Sequence, residues 1–281
     1  MKIGVHVSIS GGIEKSFLRA NKIGCDAFQI FTRNPRSWNY KTLTNDIINE
    51  FKKNSKEFKI SPVYSHLPYL SNLASSNKEI FNKSILSLEI ELNRCDALGI
   101  PFVVTHLGSP KSETKECGIA NVKRALNTVL ENYNGKCRIL LENTAGRNQK
   151  LGSSLFDICN IINGIDYKDK VGLCFDTCHA FVSGYDLREF DVIDELISEI
   201  DNSIGLKKLD LIHCNDTKSE FGSGVDRHEH IGMGKIGDIG FKHLFKEKRL
   251  KKVPFICETP VDEQRNDEGN LNYLRKLLLM K

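Results

Sequence analysis

Hydrophobic and polar positions along this chain follow two alternating regimes. Short runs rich in β-branched and aromatic residues read as buried strands: Ile3 to Ser8, Ala27 to Phe31, Ile60 to His66, Phe102 to His106, Arg138 to Glu142, Val171 to Asp176, Leu209 to His213 and Val253 to Glu258. Between them lie longer amphipathic stretches, roughly over 11–24, 43–58, 119–133, 153–163, 189–200, 238–250 and 267–280. One more helix is predicted where Phe81, Ile85, Leu88 and Leu92 share a face, and Ser76 with Glu79 forms a capping-box pattern at its start.

The strand ends from His66 onward recur about every 40 residues, the length of one strand plus its return helix. This spacing predicts an α/β fold: one (β/α)8 barrel of the TIM type, a single domain over residues 1–281 with every strand C-terminus on one face. An open doubly wound sheet fits less well. After the first strand, Ser10-Gly-Gly12 has the wrong glycine spacing for a dinucleotide turn.

Composition narrows the setting. With 40% hydrophobic and 27% charged residues the chain has the balance of a water-soluble globular protein, and no apolar run approaches the ~20 residues needed to span a bilayer. A strand follows Met1 directly, leaving no room for a leader, so a cytoplasmic location and no membrane association are expected. Nine cysteines in that setting predict reduced thiols. The net charge of +4 is too mild to select a partner by itself.

The candidate chemistry lies at the strand ends. Six successive strands finish in His66, His106, Glu142, Asp176, His213 and Glu258, which the barrel would bring into one mouth. Simple surface polarity would be met equally well by Ser, Asn or Lys, whereas imidazoles and carboxylates are metal ligands. After Asp176 a short turn is expected to present His179. The glycine-flanked segment Gly222 to His230 offers Asp226 and His228, which with His179 would complete a three-ligand site; His230 could replace His228. Nitrogen and oxygen donors without thiolate favour zinc, with manganese or iron as alternatives. Cys214 and Cys257 should face the helices, while Cys174 shares the inner face with Asp176 and is expected to pack in the core. The basic run Lys246 to Lys252 joins the seventh helix to the eighth strand and is expected to be a solvated connection on the opposite barrel face.

Several motifs carry a family resemblance over nearly the whole chain: Phe31-Thr-Arg-Asn-Pro-Arg-Ser-Trp38, Leu141-Glu-Asn-Thr-Ala-Gly146, Cys174-Phe-Asp-Thr-Cys-His-Ala-Phe181, Gly184-Tyr-Asp-Leu187, His213-Cys-Asn-Asp-Thr-Lys218 and Val225-Asp-Arg-His228. Together they resemble the endonuclease IV family of apurinic/apyrimidinic endonucleases. The resemblance implies a trinuclear zinc barrel, expected to act as a monomer, that cuts duplex DNA on the 5′ side of an abasic site and leaves a 3′-hydroxyl and a 5′-deoxyribose phosphate. It implies that His66, His106 and Glu142 hold one ion and that Glu142 bridges to a second held by Asp176, His213 and Glu258. The third would be held by His179, Asp226 and His228. Glu142, Asp176 and Glu258 would be the catalytic carboxylates, and Arg36 and Tyr69 would enter the duplex at the lesion. Leu67-Pro-Tyr69 departs from the more polar Asp-Ser that some members carry after the first histidine.

Two competing functions share parts of this pattern. The subset Glu142, Asp176, His213 and Glu258 resembles the ligand set of a related family of metal-dependent sugar isomerases and epimerases on the same barrel, a reading that leaves the other histidines without a task. A non-catalytic zinc store would saturate its ligands and turn nothing over.

Overall fold

The computed structural model describes residues 1–146 and 150–280. Its eight principal strands are β1 (Ile3–Val5), β2 (Phe28–Ile30), β3 (Val63–His66), β4 (Phe102–His106), β5 (Arg138–Glu142), β6 (Val171–Asp176), β7 (Leu209–His213) and β10 (Phe255–Cys257). They pair in parallel in the order β1-β10-β7-β6-β5-β4-β3-β2. The seam between β1 and β2 is closed by a parallel bridge from His6 to Gln29 and by the Val7 N–H bonding to the Gln29 carbonyl at 2.7 Å. The barrel predicted from strand spacing is therefore the observed fold. Two short strands, β8 (Asp216–Thr217) and β9 (His228–Glu229), form a separate antiparallel ribbon above it.

The helices α1 (Ser16–Ile23), α2 (Asn45–Phe58), α3 (Lys78–Leu98), α4 (Lys115–Glu131), α5 (Leu155–Asn163), α7 (Phe190–Ile204), α8 (Gly237–Lys246) and α9 (Asp267–Leu279) follow the predicted amphipathic stretches within a few residues. Two local expectations are corrected. The cap of α3 is Asn77, whose side chain accepts the Ile80 N–H at 3.0 Å, while Ser76 turns away to the Pro110 carbonyl. The expected turn after β6 is a short helix, α6 (Thr177–Ser183), capped by Asp176 itself. A carboxylate at the strand end supplies the hydrogen bond that starts the next helix, so strand and helix join without a loop.

Two cores result. The large one lies between strands and helices and includes Cys214 and Cys257. The small one fills the barrel with Ala27, Tyr64, Val104, Leu140, Cys174, Leu211 and Ile256. Each of these inner residues stands two positions before Gln29, His66, His106, Glu142, Asp176, His213 or Glu258. Since side chains two apart share a face of a strand, the apolar layer carries a polar ring directly above it. All nine cysteines are free, as expected from the sequence.

The segment after β2 is fastened by a buried ionic lattice. Glu91 of α3 accepts from Thr32 Oγ1 at 2.7 Å and Arg33 Nε at 3.2 Å, and Arg94 bonds to the carbonyls of Thr32 and Lys41. Among the described residues no helix is long and apolar enough to cross a membrane.

Barrel closure leaves no room at Gly4, where an added Cβ would lie 1.7 Å from the Ala27 carbonyl oxygen. The obstruction is backbone, which cannot swing aside as a side chain would. Gly4→Ala should therefore cost about 3 kcal/mol of stability, the upper part of the range for overpacking. Chemical denaturation followed by far-UV circular dichroism checks this, and an unchanged midpoint would mean that the β1–β2 seam is looser than it looks.

Candidate functional site

The polar ring forms the floor of a cavity of about 610 Å³ whose lining includes His6, His66, Tyr69, His106, Glu142, His179, Asp226, His228 and Glu258. Glu142 sits at its centre and is 1% exposed. Its Oε2 faces His66 Nε2 at 3.2 Å and His106 Nε2 at 3.6 Å, while Oε1 faces His213 Nδ1 at 3.1 Å and His179 Nδ1 at 3.4 Å. One carboxylate thus turns its two oxygens toward two different sets of donors.

Three such sets are present. Ligand atoms of His66, His106 and Glu142 lie within 4.8 Å of one another, as do those of Glu142, Asp176, His213 and Glu258, and those of His179, Asp226 and His228. The nine candidate ligand residues are therefore brought together, although Asp226 reaches the group from the half-exposed loop before β9. A further overlapping set, Asp176, Cys178 and His228, adds a thiol that sequence reasoning passed over; Cys178 Sγ lies 3.6 Å from Asp226 Oδ1. His230 does not join them. It is buried, with Nε2 on Asp262 at 2.9 Å and Nδ1 on Asn270 at 3.0 Å, so both its nitrogens are already engaged and it cannot replace His228.

The histidines are oriented from behind. His66 Nδ1–H donates to the Leu67 carbonyl at 2.8 Å, His179 Nδ1–H to the Asn143 carbonyl at 2.8 Å and His228 Nδ1–H to the Glu258 carbonyl at 2.9 Å. A carbonyl only accepts, so each of these rings carries its proton outward when neutral and presents Nε2 to the site, the arrangement that metal-binding histidines use. His228 Nε2 is buried with no hydrogen bond, since Asp226 Oδ1 lies 3.2 Å away but out of line. A buried nitrogen lone pair left without a partner fits a cation.

The carboxylates are held just as firmly. Asp176 Oδ1 accepts the His179 N–H at 2.8 Å and Oδ2 the Asn215 amide at 2.6 Å, and Asn215 Oδ1 also accepts the Glu258 N–H at 2.7 Å. Asn143 clamps the Asp176 backbone at both its N–H (2.6 Å) and its carbonyl (3.0 Å). Both asparagines follow predicted ligands closely in sequence, yet nothing in composition marks them; only the fold shows what they hold.

Burial and charge shift the protons of this cluster. Burial alone would lower the His179 pKa, but the charge of Asp176, the hydrogen bond to Asp226 and the charge of Glu142 together raise it to about 10. Burial dominates at His106 and drops its pKa to about 4. Glu142 is driven well below the ordinary carboxylate range: burial opposes this, but the surrounding His106, His213 and His66 prevail. Without ions, then, protons supply part of the positive charge these carboxylates need.

The expected DNA-contacting residues stand on the rim. Tyr69 is 60% exposed and packs edge-on to Phe31 at 5.2 Å, over the ring of His66 at 6.0 Å. Leu70 beside it is also exposed, an apolar pair at the mouth of which the sequence reading caught only one member. Arg36 is exposed on the loop after β2, and its N–H is held by Asn34 Oδ1 at 2.9 Å. The basic run Lys246 to Lys252 lies at the other end of the strands, ahead of β10.

Known proteins with this arrangement complete the picture. Residues 17–278 match the family model of the xylose isomerase-like TIM barrel. A protein of Methanoculleus marisnigri named probable endonuclease 4 is 46% identical over 276 residues, covering 98% of both chains. The solved structure of endonuclease IV from Thermus thermophilus superposes with a TM-score of 0.86 at 33% identity, covering 100% of both chains. A 3-keto-D-glucoside 4-epimerase from E. coli has a TM-score of 0.70 at 16% identity, with 98% of this chain and 99% of that one covered, a likeness of fold alone. By motif, sequence and structure together, the chain belongs to the endonuclease IV family of apurinic/apyrimidinic endonucleases, within the xylose isomerase-like TIM barrels.

Proposed function

We propose that this protein hydrolyses the phosphodiester 5′ to an abasic site in duplex DNA, leaving a 3′-hydroxyl and a 5′-deoxyribose phosphate. We propose further that it does so with three zinc ions held by His66, His106, Glu142, Asp176, His179, His213, Asp226, His228 and Glu258. The observation that carries the reading is the presence of three adjoining donor sets, two of them sharing Glu142, on the floor of one open cavity. Bound zinc supplies the positive charge that neutralises an anionic phosphodiester and lowers the pKa of a water so that it attacks at neutral pH.

The chain's own residues do the rest. Glu142, Asp176 and Glu258 keep the cluster assembled by fixing its charges. The carbonyls of Leu67, Asn143 and Glu258 hold three imidazoles in the orientation that ligands need. Tyr69 and Arg36, standing above the floor, are suited to bend the duplex and occupy the gap where a base is missing, since a straight duplex cannot lower a phosphate into the mouth. Deformation costs least where a base is already absent, and that difference supplies selectivity.

A sugar isomerase or epimerase remains the second reading because Glu142, Asp176, His213 and Glu258 form a complete set by themselves. The five additional donors, with Arg36 and Tyr69 exposed beside the cavity, favour the polymer.

Elemental analysis of the purified protein should find about three zinc ions per chain; a reproducible value near one would favour the isomerase. Zinc uptake at pH 7 should release protons, because His179, held protonated up to about 10, must give up its proton to bind. Calorimetry in buffers of different ionisation enthalpy reads this directly, and affinity should fall as the pH is lowered.

Glu142→Gln removes the charge while keeping the shape. Cleavage of an abasic oligonucleotide should fall on the order of a thousandfold, the scale on which single electrostatic groups act in catalysis, while binding of that duplex persists. Near-normal cleavage would remove Glu142 from its proposed central role.

Replacing both Arg36 and Tyr69 with Ala should weaken binding to abasic duplex by about tenfold more than binding to undamaged duplex, in line with the loss of one aromatic stack, with zinc content unchanged. Equal losses on the two duplexes would assign these side chains to general backbone affinity only.

A further inference from the structure

One member of the polar ring is neither a candidate ligand nor a rim residue. Gln29 is fully buried where β1 meets β2, and its side-chain amide reaches three groups of the site. Its Nε2 lies 2.6 Å from Glu258 Oε1 and 3.0 Å from His6 Nδ1, and its Oε1 lies 2.9 Å from His213 Nε2. His6 is itself a lining residue of the cavity, its ring packed on Phe31 at 4.5 Å.

The chemistry of the partners settles the direction of each bond. Glu258 only accepts, so the NH₂ end of the amide faces it and the oxygen end faces His213. His213 must then donate from Nε2, which leaves Nδ1 as its inward nitrogen, 3.1 Å from Glu142 Oε1 and 3.2 Å from Glu258 Oε2. The second N–H of the amide points at His6 Nδ1 at 3.0 Å, closer than the 3.5 Å that separates this nitrogen from Glu258 Oε1, so Nδ1 is the acceptor. His6 therefore carries its proton on Nε2, a nitrogen for which the described residues offer no partner. We propose that Gln29 is a positioning residue whose single amide fixes the proton on His213 Nε2 and on His6 Nε2, and steers Glu258 so that Oε2 is the oxygen turned to the site.

This assignment explains why His213 differs from the other oriented histidines. His66, His179 and His228 are each turned by a backbone carbonyl and present Nε2. His213 on β7 presents Nδ1 instead, and its Nε2, turned away from Glu142, meets the Gln29 side chain of β2 at 2.9 Å. The same amide leaves His6 as a neutral N–H donor lining the mouth, suited to an anionic phosphate oxygen.

The His213 half rests on the metal reading given above; the His6 half does not. In zinc-free protein at pH 7.5, long-range ¹H–¹⁵N spectra should show His6 as the Nε2–H tautomer. Gln29→Glu keeps the size but has no donor for His6, so the ring should switch to Nδ1–H. Gln29→Met removes all three bonds, and chelator competition on the loaded protein should then show one ion weakened about tenfold to a hundredfold, the usual effect of losing an orienting partner, with the others held as in the parent. A His6 proton found on Nδ1 in the parent, or unmoved by Gln29→Glu, would overturn the assigned direction of the amide. Parent-like zinc affinities in Gln29→Met, with only a lower melting temperature, would reduce Gln29 to a packing role. A parent protein that binds no second ion would overturn the His213 half together with the metal reading, and the His6 tautomer would stand as measured.

Discussion

The site depends on one buried carboxylate. Glu142 is excluded from water at the centre of the barrel mouth, and a charge in that position persists only if the surrounding groups compensate it. His66 on one oxygen at 3.2 Å and His213 on the other at 3.1 Å do so, with His106 and His179 close beside them. The division is what makes adjoining donor sets out of side chains from six strands. Remove the charge and the remaining imidazoles have no common focus.

A barrel is well suited to this because its walls are rigid and its alternation is strict. The apolar layer of Tyr64, Val104, Leu140, Cys174, Leu211 and Ile256 is close-packed beneath the ring, so the ligands above it cannot sink or rotate inward. Behind them the orienting groups come from whatever backbone or amide lies nearest: carbonyls at the loop side, Asn143 and Asn215 at the start of the loops, Gln29 at the seam. Precision in such a site is a property of the second layer of contacts as much as of the ligands.

The rim follows a different rule. Arg36 and Tyr69 ride on loops, and the loop that carries Arg36 is anchored where the Arg33–Glu91–Arg94 lattice fastens it to α3. Burying these charges is costly unless each is paired. The return is a fixed base with a free tip, which suits a surface that must meet a deformable partner. Phe31 links rim and floor, since its ring touches those of His6, His66 and Tyr69.

The sequence by itself determined the eight barrel strands and the six candidate ligands at their ends, because these depend on periodicity and on residue types at strand ends; His179, Asp226 and His228 were singled out by motif, and the β8–β9 ribbon was not foreseen. Phe102–His106, Arg138–Glu142, Val171–Asp176 and Leu209–His213 were legible to the residue, since each is a short, mostly buried run that ends in an ionisable group. The expected bounds of β1, β2, β3 and β10 were overextended, because the buried runs reach past the residues that pair in the regular ladder. Helix α6 was hidden because its cap is also a candidate ligand. What only the tertiary structure decided is which polar residues face one another: that His230 turns to Asp262 and Asn270, that Cys178 approaches Asp226, and that Gln29 reaches Glu258, 229 residues away. Such pairings join strands and loops remote in the chain, and no local pattern encodes a contact whose two halves meet only when the barrel closes.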